Sequence, residues 1–318
     1  MTDTGRRRAD AVAIRTAALE AVDPARLVTA RLAVERGTLV VPGAADVVPL
    51  DLDAVGRVVV VGGGKAAAGM AAGVEAVLGP ERLARHRATG LVSVPEGSGR
   101  ALAAVEVRET RPAGENLPTP AVVRATHEIL ALVGGLGPRD LAIAVVTGGG
   151  SALLAAPRDG VTLEHTITVT RRLAAEGADI RTLNAARREL SLVSGGGLAR
   201  ACTAGRLLVL VLSDVIGDDL DVIASGPCMP GESTSPPGAW TTPAGCVVRH
   251  VVVGSNATAV EAAADAARAL GYDTRVRHAT PGSSTDASAD DVGRRLAAEA
   301  VALASVDEPG VAWRTRVS

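Results

Sequence analysis

Apolar runs punctuated by glycine organise this chain. Val58-Val59-Val60-Val61 is an unbroken β-branched block, too apolar for a sheet edge, and it predicts a buried parallel strand. The alanine-rich stretch after Gly62-Gly63-Gly64 predicts a helix packed closely on that strand. The design recurs. Further strands are expected at 38–41, 90–94, 105–107, 140–146, 206–212, 247–253 and 272–276. Helices are expected at 9–22, 25–35, 120–133, 162–176, 179–191, 257–270 and 291–304, with Asp23-Pro24 opening the second. Strands alternating with helices predict an α/β fold with a doubly wound parallel sheet. In such sheets ligands bind beyond the carboxyl ends of the strands, so the loops there are where chemistry is sought.

The loop after 58–61 reads Gly62-Gly63-Gly64-Lys65. Glycines let backbone N–H groups turn inward, and the following helix adds its positive dipole end, so a phosphate or carboxylate is the natural occupant. Lys65 adds a full charge, and it is the only lysine among 33 Lys+Arg. A P-loop is excluded, because Val59 replaces its first glycine and Ala66 its magnesium-binding hydroxyl. Gly62-x-Gly64-x-x-Ala67 matches a relaxed dinucleotide fingerprint, weak support for NAD.

Two more loops carry candidates. Thr147-Gly148-Gly149-Gly150-Ser151 is a second anion nest with added hydroxyls, and Ser213-Asp214 begins an acidic turn that runs to Asp218 and Asp219. A carboxylate at a strand end suits Mg²⁺, which takes one or two carboxylates plus substrate phosphates, or a general base. Asp214 fits either role. Asp218 is the second metal candidate, although a surface turn explains it as well. Arg187, within 184–191, reads as a helix-face residue.

Composition narrows the classes. The 318 residues allow two domains, and with no Phe and one Tyr the core must come from Ala, Val, Leu and Ile. A net charge of −2 and almost no aromatic residues argue against nucleic acid or a membrane surface. Cys202, Cys228 and Cys246 form no C-x-x-C pair, and reduced thiols are expected. The apolar run after Arg6-Arg7-Arg8 is broken by Asp10, Arg15 and Glu20, and no run is long enough to span a bilayer, so a cytoplasmic protein is expected. The stretch 232–245, rich in Pro, Ser, Thr and Gly and including an exposed Trp240, reads as a linker. It divides a first domain, 1–237, from a second, 238–318, in which 247–253 starts a new α/β unit.

With these residues in view, the chain resembles the glycerate 2-kinase family, whose second domain is called MOFRL and whose members are often labelled hydroxypyruvate reductases. The resemblance covers about residues 10 to 275. It rests on the blocks 61–66, 147–154, 184–191 with Arg187, and 213–220 through 223–227. It implies a Rossmann-like first domain, a smaller second α/β domain, and ATP-dependent phosphorylation of D-glycerate with Mg²⁺. Lys65 would be the catalytic lysine. The glycine nests with Ser151 and Ser213 would hold anionic oxygens, Asp214 would bind metal or take the hydroxyl proton, and Arg187 would clamp the substrate carboxylate. Three departures stand out. Arg111-Pro112-Ala113-Gly114-Glu115-Asn116 replaces a His-Pro-x-Pro segment, and Ser194 replaces a lysine. The family's later Gly-Gly-Glu and Gly-Gly-Arg-Asn blocks are not matched, so a member truncated in its second domain is expected, with activity in doubt and a homodimer left open as a means of repairing the cleft. The alternatives are an NAD(P)H-dependent hydroxypyruvate reductase and a ligand-binding homologue without catalysis.

Overall fold

The structure is a computed structural model that describes residues 3–42, 49–230, 239–276, 278, 289–304 and 316–317. The chain divides into two compact units: Pro24–Asp214 with Asp218–Gly254, and Met1–Asp23 with Val215–Gly217 and Ser255–Ser318.

The first unit is built on a seven-stranded sheet. Its strands are β1 (Val58–Gly63), β2 (Thr89–Pro95), β3 (Val105–Arg111), β4 (Leu141–Thr147), β5 (Arg206–Leu212), β6 (Trp240–Thr241) and β7 (Val247–Gly254). The order across the sheet is β3-β2-β1-β4-β5-β7-β6, and every pairing is parallel except β7 with β6. From β1 the chain winds outward through β2 to β3, then crosses back to place β4 on the other side of β1. This reversal sets a topological switch point at the carboxyl ends of β1 and β4, where the ligand crevice of such a sheet lies. Val58 to Val61 are at most 2% exposed, and burying each contributes roughly 2 kcal/mol.

Helices follow the strands. After α1 (Asp3–Ala21) and α2 (Pro24–Arg31), α3 (Ala67–Arg85) joins β1 to β2 and α4 (Pro120–Gly134) joins β3 to β4. Two polar clasps hold the sheet in register. Buried Glu75 of α3 accepts from the amides of Ala103, Ala104 and Val105 at 2.8, 2.8 and 2.9 Å, which fixes the entry to β3. Asp140 accepts from Arg57 Nε and Nη2 at 3.1 and 3.0 Å, tying the starts of β1 and β4 together.

Three local expectations are corrected. The second helix ends at Arg31, and Ala33–Glu35 instead pairs with Thr38–Val40. Arg36 and Gly37 have φ of 48° and 84°, the two left-handed residues of a tight hairpin turn that helical periodicity cannot reveal. The run at 247–253 does not start a new unit, because β7 pairs with β5 from Val247 to Gly254. Trp240 is half-buried in edge strand β6, its Nε1 donating to the Cys228 carbonyl at 3.2 Å. Residues 232–238 of the expected linker, and the boundary between 237 and 238, lie outside the described residues.

The remaining helices of this unit are α5 (Leu163–Ala175), α6 (Ile180–Leu190) and α7 (Gly197–Ala201). The second unit contains α1, α8 (Asn256–Ala269) and α9 (Ala289–Ala304), and Arg275–Val276 pairs with Arg316–Val317. Ile14 packs with Ala263, Ala267 and Tyr272, whose hydroxyl donates to Asp10 at 2.7 Å. Among the described residues no helix is long and apolar enough to cross a membrane.

Candidate functional site at the carboxyl ends of the central strands

At the crevice, β1 and β4 approach with no side chain between them. A Cβ on Gly62 would lie 2.0 Å from the Val145 carbonyl oxygen, and one on Gly64 2.4 Å from Thr147 Cγ2. These glycines are required for close packing. The first loop is less open than the sequence suggests: the Gly64 amide donates to Ser93 O at 3.1 Å and the Lys65 amide to Gly148 O at 3.0 Å. What this loop offers a ligand is therefore the exposed Lys65 side chain more than a cradle of amides.

The second loop has the complementary character. Gly149 is left-handed (φ 78°) and precedes a single 3-10 turn, Gly150–Ala152. Among the described residues the amides of Gly149, Gly150 and Ser151 donate to no protein acceptor. Lys65 lies alongside this loop, its Cγ and Cε each 3.5 Å from where a Gly149 Cβ would be. Asp214, exposed at the end of β5, rests against Gly148, with Oδ2 2.0 Å from that residue's missing Cβ. Buried Ser213 anchors Asp214 by donating its amide to Gly254 O at 3.0 Å.

Arg187 joins through a hydrogen-bonded chain. Ser151 Oγ meets Ser225 Oγ at 2.9 Å, Ser225 Oγ donates to Asn184 Oδ1 at 2.8 Å, and Arg187 Nη1 donates to that same oxygen at 3.2 Å. Ser151 and Arg187 line one depression together with Asn116, Thr166 and Ser194. Burial lowers the Arg187 pKa, and the group stays charged. Ser225 is fully buried and has φ of 61°, and Ala224 beside it has φ of 52°. Two adjacent non-glycine residues in this region are strained, and the Ala224 methyl fills the space that a Gly150 side chain would need.

The acidic turn is divided in its partners. Asp219 pairs with Arg181 at 2.8 Å and Asp221 with Arg188 at 3.3 Å, while Asp218 stands in a left-handed turn with φ of 53°. Among the described residues no group of three or more His, Cys, Asp or Glu could hold a metal. A magnesium ion would therefore depend on Asp214 and on ligand oxygens, a donor set within its usual habits. The third glycine run is structural: Gly195 and Gly196 amides bond to the Ser225 and Gly226 carbonyls at 2.8 and 2.7 Å.

One residue here was assigned no role by the sequence, which marked it only as part of a departure from the family's His-Pro-x-Pro segment. Arg111, the last residue of β3, is 2% exposed, and its Nη2 lies 3.5 Å from the Gly149 Cβ position. Its Nε and Nη1 are buried without a hydrogen-bond partner among the described residues. A strand whose final residue is arginine, followed at once by Pro-Ala-Gly, was the available signal.

Comparison with known proteins gives a consistent result. Residues 10–242 match the model of a family described as a domain of unknown function, DUF4147. A glycerate kinase of Bos taurus is 39% identical over 250 residues, which cover 67% of this chain and 47% of that protein. An Agrobacterium vitis protein named as a hydroxypyruvate reductase is 41% identical over 179 residues, covering 56% of this chain and 39% of that one. The crystal structure of a glycerate kinase from Thermotoga maritima superposes with a TM-score of 0.65 at 28% identity, covering 86% of this chain and 64% of that one. The chain thus spans about half the length, or less, of the curated relatives it matches.

Proposed function

We propose, from the premise that this chain belongs to the DUF4147 family, that it is a glycerate 2-kinase that transfers the γ-phosphoryl group of ATP to the 2-hydroxyl of D-glycerate. The observation that carries this reading is the meeting of Lys65, the Gly149–Ser151 amides and Asp214 at the crevice between β1 and β4. Phosphoryl transfer asks a protein mainly for positioning and charge neutralisation, and these groups supply both.

In this mechanism the Gly149–Ser151 amides hold phosphate oxygens and Lys65 neutralises the charge that gathers on them. Arg187, oriented by Asn184, clamps the glycerate carboxylate. As the bond from Pγ to the ADP oxygen breaks and the bond to the glycerate oxygen forms, the hydroxyl proton passes to one oxygen of Asp214. The other Asp214 oxygen would hold Mg²⁺, which would supply positive charge to offset that of the phosphates. The free, buried Cys202, Cys228 and Cys246 fit a reducing cytoplasmic setting for this kinase.

A reductase reading is favoured by the name of the Agrobacterium relative. Against it, Gly64 and Lys65 amides that are already bonded to protein carbonyls leave little backbone for a dinucleotide pyrophosphate.

The test is ADP release with D-glycerate and ATP, run beside NADH consumption with hydroxypyruvate. Lys65→Ala is expected to lower ADP release by about two to three orders of magnitude, the scale for removing one preorganised charge. NADH oxidation in the absence of ADP release would overturn the kinase reading.

A further inference from the structure

Arg111 carries a buried charge with no ion-pair partner among the described residues. Its side chain is 2% exposed, no carboxylate pairs with it among the described residues, and its Nε and Nη1 have no acceptor. A buried guanidinium, with five donors and no way to lose its proton, calls for an anion from outside the chain. Its location says where that anion would sit. Arg111 Nη2 and Lys65 Cε, the carbon that carries the ammonium, each stand 3.5 Å from the point where a Gly149 Cβ would be, so both cationic side chains border the same loop position. Beside both is Gly149, whose φ of 78° disfavours any side chain. Desolvation lowers the Arg111 pKa, and the charge of Glu115 only partly counters it.

We propose that Arg111 and Lys65 form a two-cation seat for a phosphate dianion above Gly149, and that Arg111 is the residue that separates phosphoryl ligands from ligands carrying a carboxylate alone. The proposal rests on the kinase reading of the site and assigns to this seat the phosphoryl oxygens shared by nucleotide and phosphorylated product. Two full positive charges match a double negative charge better than the single charge of a carboxylate. The pair also combines a planar fork, which can bond two oxygens at once, with a compact ammonium that follows a third.

The test uses the whole chain, with inorganic phosphate, ATP, glycerate 2-phosphate and D-glycerate titrated by calorimetry into the parent protein, Arg111→Gln and Arg111→Lys. Phosphate affinity is expected to fall roughly 20-fold or more in Arg111→Gln and about 5-fold in Arg111→Lys, while D-glycerate changes less than about twofold. Phosphate should raise the melting temperature of the parent protein and leave that of Arg111→Gln unmoved. A loss confined to ATP assigns the seat to the nucleotide, and a loss confined to glycerate 2-phosphate assigns it to the product. Phosphate affinity unchanged in both variants, or D-glycerate weakened as much as phosphate, overturns the proposal. If Arg111→Gln does not fold, Arg111→Lys carries the comparison. Phosphate binding is read without turnover, so failure of the kinase reading and failure of this seat give different results.

Discussion

The Asp214 carboxylate lies against the bare Cα of Gly148, where a single added methyl would stand 2.0 Å from Oδ2. Asp214 is exposed and its side chain can swing, so Gly148→Ala should leave the fold intact and displace the carboxylate. Turnover is expected to fall about 10- to 100-fold, because small errors in placement are costly for a positioned group. The measurement is kcat alongside the melting temperature. A melting temperature that collapses while kcat per folded molecule holds would show that the contact serves packing instead.

Asn184 links the Ser151 loop to Arg187 through one carbonyl oxygen and fixes itself by donating to Val222 O at 3.2 Å. Asn184→Ala leaves the fully buried Ser225 hydroxyl and Arg187 without their shared acceptor. A loss of about 1–3 kcal/mol is expected in urea unfolding, together with a raised KM for D-glycerate. If stability falls and KM does not move, Arg187 has no part in holding substrate.

His250 of β7 gives a pH signature. Burial pushes its pKa down to about 4, outweighing a contact with the Cys228 backbone, and among the described residues neither ring nitrogen has a well-formed hydrogen bond. The unfolded chain takes up the proton near pH 6.5, while the folded protein resists until about pH 4. This imidazole therefore costs no stability above pH 6.5 and destabilises progressively as pH falls through that window, by up to about 3 kcal/mol. His250→Gln should flatten the fall between pH 6.5 and 4 in denaturant titrations. Parallel curves for the two proteins would remove His250 as the source.

Much of the sheet can be read in the chain because its strands are buried on both faces. A run such as Val58–Val61 has no other stable home. Partnership between strands is less visible: the 247–254 run announces a strand, but nothing in it says that it will join β5. The Arg36-Gly37 hairpin is hidden because left-handed conformations leave no apolar period. The site divides in the same way. Lys65, Gly149 and Asp214 are visible because each follows a strand directly. The Ser225–Asn184 bond spans 41 residues, and nothing in the sequence around Arg111 shows that its guanidinium is buried.

The side-chain-free contact of β1 with β4 bears on how a substrate is received. Since Gly62 and Gly64 lie directly on Val145 and Thr147, and the Lys65 amide is bonded to Gly148, the lysine loop and the amide loop cannot shift independently. They act as the two halves of a single fixed jaw. Under the proposed mechanism an incoming oxyanion would find both halves already set, so its association would bear little of the entropy cost of ordering loops.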